Sequence, residues 1–137
     1  MKKRILFLCV ANSARSQMAE GLAGLILGDE YEIQSAGSKP SKVNPFAIRA
    51  LKELEIDIEK QYSKAVSDIK AETVDIVITL CAEEVCPTFL GTALQLHWGL
   101  TDPANPNLSD EEQMALFRKI REQIKLRIEK LKVILEN

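Results

Sequence analysis

The amino-acid sequence predicts an α/β fold, a three-layer sandwich built around a four-stranded parallel sheet. Two observations support this prediction. Strand-like and helix-like segments alternate along the chain, which is typical of parallel sheets. Residues 74–80 form a continuous apolar run, as expected of an interior parallel strand that is buried on both faces. With 137 residues, the chain is expected to form a single domain over residues 1–137.

The first half of the chain supplies two predicted strands and two predicted helices. Residues 4–9 form the first strand, and residues 15–27 form a helix that is apolar on most sides and therefore largely buried. Alternation over residues 31–35 predicts a half-exposed second strand. Asn44 and Pro45 suit the N-cap and the first position of the next helix.

The second half continues the alternation. Residues 74–80 form the third predicted strand, and Cys81 follows it directly. Residues 94–98 form a shorter fourth strand. The last helix begins with a capping box of Ser109 and Glu112. An apolar stripe at helical spacing indicates that this helix packs on the sheet. The stripe consists of Phe117, Ile120, Ile124, Ile128, Leu131 and Leu135.

Composition and charge restrict the class of function. Apolar residues make up 46% of the chain and the net charge is -2, so nothing favours nucleic acid or an anionic membrane as a partner. No apolar run approaches the length of a membrane span, and the short apolar stretch after the basic start does not indicate a signal peptide. We therefore expect a cytoplasmic protein. We also expect it to act as a monomer.

The most informative motif joins the first strand to the first helix and reads Cys9-Val10-Ala11-Asn12-Ser13-Ala14-Arg15-Ser16. A tight loop can turn successive backbone N–H groups inward and form an anion-binding nest. The helix that follows adds the positive end of its dipole, and Arg15 offers a planar fork for two oxygens. The same groups favour Cys9 as a thiolate. The motif predicts a nucleophile, Cys9, and a tetrahedral oxyanion bound by Val10, Ala11, Asn12, Ser13, Ala14, Arg15 and Ser16.

Cys81 and Cys86 follow the third predicted strand. Three cysteines are an odd number for a disulfide framework, so they are candidates for redox chemistry or metal binding. Because His97 is the only histidine, a zinc site would have to recruit carboxylates, and neither a metal nor a cofactor is expected. A thiolate in an oxyanion site can attack phosphorus, and water then hydrolyses the phosphocysteine. With arsenate, a second thiol can attack the sulfur of the Cys9–arsenic adduct and expel arsenite.

Three chemical signals follow predicted strands at their carboxyl ends, where parallel sheets bind ligands. Cys9 and Cys81 end two of these strands, and Asp102 lies just past another. Asp102 is a candidate general acid for the departing oxygen, although an aspartate before Pro103 is also a common turn residue. We expect the three side chains to meet at one edge of the sheet.

These residues resemble the arsenate reductases of the thioredoxin-coupled type, which are built on the low-molecular-weight protein tyrosine phosphatase fold. The resemblance rests on residues 9–20, on the Cys81/Cys86 pair and on His97-Trp98-Gly99 followed by Asp102-Pro103-Ala104. It covers essentially the whole chain in the same order. It implies a low-molecular-weight phosphotyrosine phosphatase-like fold and thiol-dependent reduction of arsenate to arsenite.

The resemblance also implies the role of each site residue. Cys9 is the nucleophile, Arg15, Ser16 and the loop amides bind the oxyanion, and Asp102 is the acid. Cys81 and Cys86 form a disulfide relay with Cys9. The implied partners are arsenate, with phosphate or sulfate as a mimic, and thioredoxin or a related thiol donor.

Some members of this family bind potassium near the positions that match Asn12, Glu20 and Ser35. The charged side chain of Lys64 is near the same region and could occupy the place of the cation. No bound potassium is therefore predicted.

Two other functions remain open at this point. The first is a low-molecular-weight protein tyrosine phosphatase, which hydrolyses phosphate monoesters through a phosphocysteine. Those enzymes place an aromatic residue after the Asp-Pro pair, whereas Ala104 stands here and favours a small inorganic substrate. The second is a non-catalytic phosphate-sensing or protein-binding module, against which the combination of Cys9, Arg15 and Asp102 argues.

Overall fold

A computed structural model of the chain describes residues 2–82, 89 and 91–136. Its four strands form one parallel sheet in the order β2-β1-β3-β4. The predicted α/β fold is thereby confirmed. The strands are β1 (Lys3–Cys9), β2 (Tyr31–Gly37), β3 (Ile76–Thr79) and β4 (Leu94–His97), and the helices are α1 (Arg15–Leu27), α2 (Pro45–Lys52) and α3 (Asp110–Glu136).

The two faces of the sheet are covered differently. On one face, α1, α2 and α3 enclose the larger apolar core, which contains Phe7, Leu22 and Phe117. On the other face, Leu8 and Val77 belong to a smaller cluster, which is partly covered by the chain between β2 and β3. No helix in the described part of the chain is long and apolar enough to cross a membrane.

The helix ends follow their sequence signals. The Asn44 side chain accepts a hydrogen bond from the Phe46 amide at 2.8 Å, one position after Pro45. Ser109 and Glu112 form the expected reciprocal capping box at the start of α3, with two hydrogen bonds of 3.2 Å. The predicted caps are confirmed, and the apolar stripe of α3 lies in the core.

Two predicted strands differ from the observed ones. Strand β3 is shorter than the apolar run because sheet pairing with β4 ends at Thr79. Strand β2 extends two residues beyond the predicted range 31–35, and its last three residues are buried. The reason is a segment that passes alongside: the Gly37 amide donates to Lys64 O at 2.9 Å, and Gly37 pairs with Ala65.

Candidate active site

The loop of residues 9–16, named the anion loop below, turns its backbone carbonyls away from its centre. The carbonyl oxygens of residues 10–14 each accept a hydrogen bond from another segment or from the helix that follows, at 2.9–3.1 Å. Because the carbonyls are engaged on the outer side, the loop presents its N–H groups on the inner side, as an anion-binding nest requires. For the carbonyls of residues 10 to 14 in turn, the donors are Lys39 N, Ser41 N, Gln17 Nε2, Asn44 N and Met18 N.

Asn12 fixes the bend of the anion loop. Its φ of 48° is in the left-handed region, which asparagine tolerates better than most residues. The Asn12 amide nitrogen donates to Ser16 Oγ at 2.7 Å and to Ser35 Oγ at 2.9 Å. Its amide oxygen accepts from the Lys64 backbone N–H at 2.8 Å. All the hydrogen-bonding capacity of the Asn12 amide nitrogen is therefore used to hold the loop.

Gly37 lets β2 approach the anion loop closely. A side-chain Cβ at this position would lie 2.4 Å from Val10 O and 2.9 Å from Asn12 N. Both of those neighbours are backbone atoms, which have little freedom to move. The close approach brings Ser35 within reach of Asn12, and it requires a residue without a side chain.

Cys9 is a free thiol, 2% exposed, at the end of β1. Its Sγ atom lies 2.8 Å from Ser16 Oγ. Ser16 has one hydroxyl proton, and its oxygen already accepts a hydrogen bond from Asn12. That proton is therefore available for donation to Cys9 Sγ.

Arg15 connects the anion loop to the segments that follow β3 and β4. Its Nη1 donates to Leu100 O at 2.9 Å and lies 3.5 Å from Leu80 O. Its Nη2 lies 3.8 Å from Asp102 Oδ2. The guanidinium is buried, so these contacts fix its plane at the border of the cavity.

Asp102 is both a turn residue and a cavity residue. One carboxylate oxygen accepts from the Ala104 amide at 3.0 Å, and the other faces Arg15. The alternative turn role expected from the sequence is thus present in the structure, together with the position at the site. The Asp102 side chain is 48% exposed, so it can exchange protons with solvent.

One small cavity brings the predicted residues together. Its volume is about 140 Å³. Its lining consists of Cys9, Ala11, Ser13, Ala14, Arg15, Ser41, Asp102 and Ala104. The cavity therefore lies between the anion loop and the loop after β4, and the free thiol of Cys9 is part of its wall.

Other predicted residues lie outside the cavity lining. Val10, Asn12 and Ser16 belong to the anion loop but do not line the cavity. Cys81 directly follows Leu80, is 1% exposed and is disulfide-bonded. Cys86 lies outside the described residues.

Gln17 and Ser41 are parts of the site for which the sequence predicted no role. Gln17 is fully buried within the apolar helix α1, and its side chain donates to Asn12 O at 3.0 Å and to Tyr62 O at 3.1 Å. A polar residue on a buried helix face could have indicated such a tether. Ser41 comes from a loop that is distant in sequence, and no local pattern predicts its place in the cavity.

A partly buried charge pair is connected to the anion loop. Ser35 donates to Glu20 Oε1 at 2.6 Å, and Lys64 Nζ lies 3.7 Å from the same oxygen. The side chain of Lys64 therefore places its charge beside Glu20. Through Ser35 and Asn12, this pair is connected to the loop that carries Cys9.

The geometry is that of an α/β protein in which a strand-end cysteine meets an anion-binding loop. The chain belongs to the low molecular weight phosphotyrosine protein phosphatase family, whose profile matches residues 4–137. An arsenate reductase of Halalkalibacterium halodurans is 46% identical over 129 residues, which are 93% of each chain.

Solved structures show the same likeness. An arsenate reductase in the phosphate binding state superposes with a TM-score of 0.81 at 34% identity, covering 96% of this chain and 97% of that one. The thioredoxin-dependent arsenate reductase of Corynebacterium glutamicum superposes with a TM-score of 0.76 at 31% identity, covering 98% of this chain and 62% of that one. The expected resemblance to this family is confirmed.

Proposed function

We propose that this protein reduces arsenate to arsenite through Cys9, Cys81 and Cys86. The observation that carries the proposal is a second cysteine beside the first. Leu80 N donates to Leu8 O at 2.9 Å, so the residues that follow, Cys81 and Cys9, leave neighbouring strands at the same edge of the sheet. A hydrolase of phosphate esters needs one thiol and water, whereas a reductase needs a second thiol close to the first.

In the proposed first step, the anion loop and Arg15 bind arsenate, and the Cys9 thiolate attacks arsenic. A sulfur–arsenic bond forms, and an arsenic–oxygen bond breaks. Asp102 gives its proton to the departing oxygen, which leaves as water. The inward N–H groups of the loop offset the negative charge of the oxyanion throughout. Ser16 stabilises the thiolate before the attack.

In the second step, Cys81 attacks Cys9 Sγ. A sulfur–sulfur bond forms, and the electron pair of the sulfur–arsenic bond passes to arsenic, which leaves as arsenite. Cys86 then attacks Cys81 and releases Cys9 as a thiolate. The resulting disulfide is reduced by thioredoxin or a related thiol donor. The disulfide-bonded state of Cys81, beside a free Cys9, supports this order.

The size of the cavity favours a small inorganic substrate. Ala11 and Ala104 contribute only methyl groups to its lining, with no aromatic side chain to hold an aryl ring, and its volume is about 140 Å³. Family membership keeps hydrolysis of phosphate monoesters as the second candidate function.

The proposed reaction needs only one chain, because all the proposed residues belong to it, so a monomer suffices. The proposed location is the cytoplasm, which supplies the reducing conditions that free thiols need.

The test is to measure arsenate-dependent NADPH oxidation with thioredoxin and thioredoxin reductase, alongside hydrolysis of an aryl phosphate. We expect arsenate turnover in the wild type and none above background in Cys9→Ser and Cys81→Ser. Cys81→Ser should keep whatever aryl phosphate hydrolysis the wild type shows, because that reaction needs only Cys9. Aryl phosphate turnover without arsenate turnover would contradict the reductase and support the phosphatase.

A further inference from the structure

The carbonyl of Asn12 is held differently from the other carbonyls of the anion loop. Those of residues 10, 11, 13 and 14 each accept a hydrogen bond from a backbone N–H of another segment or of α1. The Asn12 carbonyl accepts from a side chain, Gln17 Nε2, at 3.0 Å. No other hydrogen bond between described residues reaches this oxygen. A substitution at position 17 therefore releases one peptide group of the loop and leaves the backbone hydrogen bonds of its neighbours in place.

The orientation of the Gln17 side-chain amide follows from its neighbours. Its Nε2 faces two backbone carbonyl oxygens, Asn12 O and Tyr62 O at 3.1 Å, and a carbonyl can only accept. Its Oε1 accepts from Gln61 Nε2 at 2.8 Å, and Gln61 Nε2 also donates to the Gln17 backbone carbonyl at 3.1 Å. Gln17 is fully buried, and both protons of its amide nitrogen are engaged by protein atoms. The side chain thus holds the Asn12 carbonyl from a fixed position.

The peptide group that begins with the Asn12 carbonyl ends with the N–H of Ser13. The described part of the chain contains no cis peptide bond, and in a trans peptide the C=O and the N–H point in opposite directions. Because Gln17 holds Asn12 O on the outer side of the loop, the Ser13 N–H points to the inner side. Ser13 lines the cavity, and no hydrogen bond from Ser13 N to another described residue is found. This N–H is therefore placed to bind an oxygen of the oxyanion.

The backbone conformation of Asn12 makes this support necessary. Its φ of 48° is in a region that residues other than glycine seldom occupy. If the hydrogen bond from Gln17 is removed, the peptide group after Asn12 can rotate and turn its carbonyl inward, where the partial negative charge of the oxygen opposes an oxyanion. If the peptide group does not rotate, a carbonyl of a fully buried residue loses its donor, which also costs free energy. In either case, the loop binds the oxyanion less well.

We propose that Gln17 is a positioning residue that sets the affinity of the anion loop for tetrahedral oxyanions. It keeps the peptide group between Asn12 and Ser13 in the orientation that presents the Ser13 N–H to the oxyanion. Gln17 acts through this peptide group, since its own side chain is not part of the cavity lining. Gln61 supports it by fixing the Gln17 amide. This inference rests on the oxyanion binding that is part of the proposed function.

The first test measures the binding of inorganic phosphate by calorimetry and needs no arsenate. Gln17→Met keeps the length of the side chain but removes the donor, and we expect the Kd for phosphate to rise about 10-fold, as for a lost hydrogen bond to a charged group. Gln61→Met should raise the Kd by a smaller factor. Gln113→Met is the matched control, because Gln113 is also a buried helical glutamine whose Nε2 donates to a backbone carbonyl, Leu108 O at 3.3 Å, but it does not line the cavity or contact the anion loop. It should bind phosphate like the wild type.

The second test follows the amide resonance of Ser13 by NMR during a phosphate titration. At saturation, the change in its proton chemical shift reports whether the Ser13 N–H donates to the anion, whatever the affinity. We expect a downfield change in the wild type and in Gln113→Met, and a smaller one in Gln17→Met. A merely structural role of Gln17 would weaken binding without altering this change at saturation.

Each outcome of these tests decides the role of Gln17. Wild-type phosphate affinity in both Gln17→Met and Gln61→Met would overturn it, and so would weaker binding with an unaltered Ser13 resonance at saturation. If Gln17→Met does not fold, Gln61→Met decides by the same two measurements. A wild type that binds no phosphate would overturn the inference together with the oxyanion site. If the phosphate results are as expected but the wild type releases no arsenite from arsenate, the reductase is contradicted and the role of Gln17 stands.

Discussion

The loop after β1 and the loop after β4 border the same cavity, but they are held in different ways. In the anion loop, the carbonyls of residues 10–14 are all engaged and Cys9 is 2% exposed. In the loop after β4, Asp102 is 48% exposed and is held by one backbone amide and by a 3.8 Å contact with Arg15. The first loop follows a central strand, and the second follows an edge strand.

This difference matches two chemical tasks. Groups that stabilise a developing charge work best when they are already in place and shielded from water. A group that delivers a proton in every cycle must recover it from solvent, so an exposed carboxyl is suitable. The two loops can therefore be tested separately. A substitution that disturbs the anion loop should weaken oxyanion affinity, and a substitution of the carboxyl group in the loop after β4 should lower the rate.

The largest expected effect comes from the exposed loop. Asp102→Asn should lower kcat for arsenate by about 10²-fold or more, because the amide cannot supply the proton to the departing oxygen. Inhibition by phosphate should stay close to that of the wild type, since the oxyanion is bound by the anion loop. Steady-state kinetics with phosphate as a competitor would measure both quantities.

Asp57→Asn is the control for Asp102→Asn. Asp57 makes the same kind of short backbone contact, with its Oδ1 accepting from Glu59 N at 2.9 Å, but it does not line the cavity. It should leave kcat unchanged. If Asp102→Asn weakened phosphate inhibition as strongly as it lowered kcat, Asp102 would be shaping the loop rather than donating a proton.

Gly37→Ala tests the preorganised loop. The added methyl group would lie 2.4 Å from Val10 O, so the anion loop or β2 must shift. A displacement of about 1 Å at a reacting group costs roughly 10²-fold in rate, and here we expect about that loss in kcat/KM together with weaker phosphate inhibition. Gly24→Ala is the control, because a Cβ at that position meets nothing within 4 Å. Normal phosphate inhibition in Gly37→Ala would mean that the loop does not depend on its close contact with β2.

Local signals in the sequence predicted much of the anion loop and two of the helix starts. The spacing from Cys9 to Arg15 specifies a loop between a strand and a helix, and the capping residues Asn44 and Ser109 fix two helix starts. These features depend on neighbours within a few residues, so a single sequence carries them. The placement of Asp102 in the same cavity as Cys9 followed from the rule that parallel strands end at one edge of the sheet.

Long-range contacts could not be predicted in the same way. The anion loop is held by Lys39, Ser41 and Lys64, whose amides come from segments far along the chain. Any residue except proline has such an amide, so no residue type marks the contact. The burial of the end of β2 was missed for the same reason, because it depends on the segment around Lys64 passing beside Gly37.

In a third region, between α2 and α3, a substitution should change the stability of the fold without changing either loop. Glu53 follows α2, and its carboxylate accepts hydrogen bonds from Arg118 Nη2 and Arg121 Nη1, each at 2.7 Å. Arg121 Nη1 also donates to Ala50 O at 2.8 Å, near the end of α2. The hydrogen bonds from Arg118 and then from Arg121 lower the pKa of Glu53 from 4.5 to about 2.

The smallest expected effect is therefore that of Glu53→Gln, which should lower the free energy of unfolding by about 1 kcal/mol at pH 7, because water screens a carboxylate that is 37% exposed. Since the folded pKa is the lower one, this contribution is complete above pH 4.5 and disappears as the pH falls towards about 2. Urea unfolding at pH 7 and pH 3 should thus show a smaller difference between wild type and variant at pH 3. Glu32→Gln, which removes a single exposed ion pair with Arg4, should cost less. If Glu53→Gln lowered the free energy of unfolding by the same amount at both pH values, the role of the two arginines would be contradicted. If the variant lost arsenate turnover, this region would be coupled to the cavity.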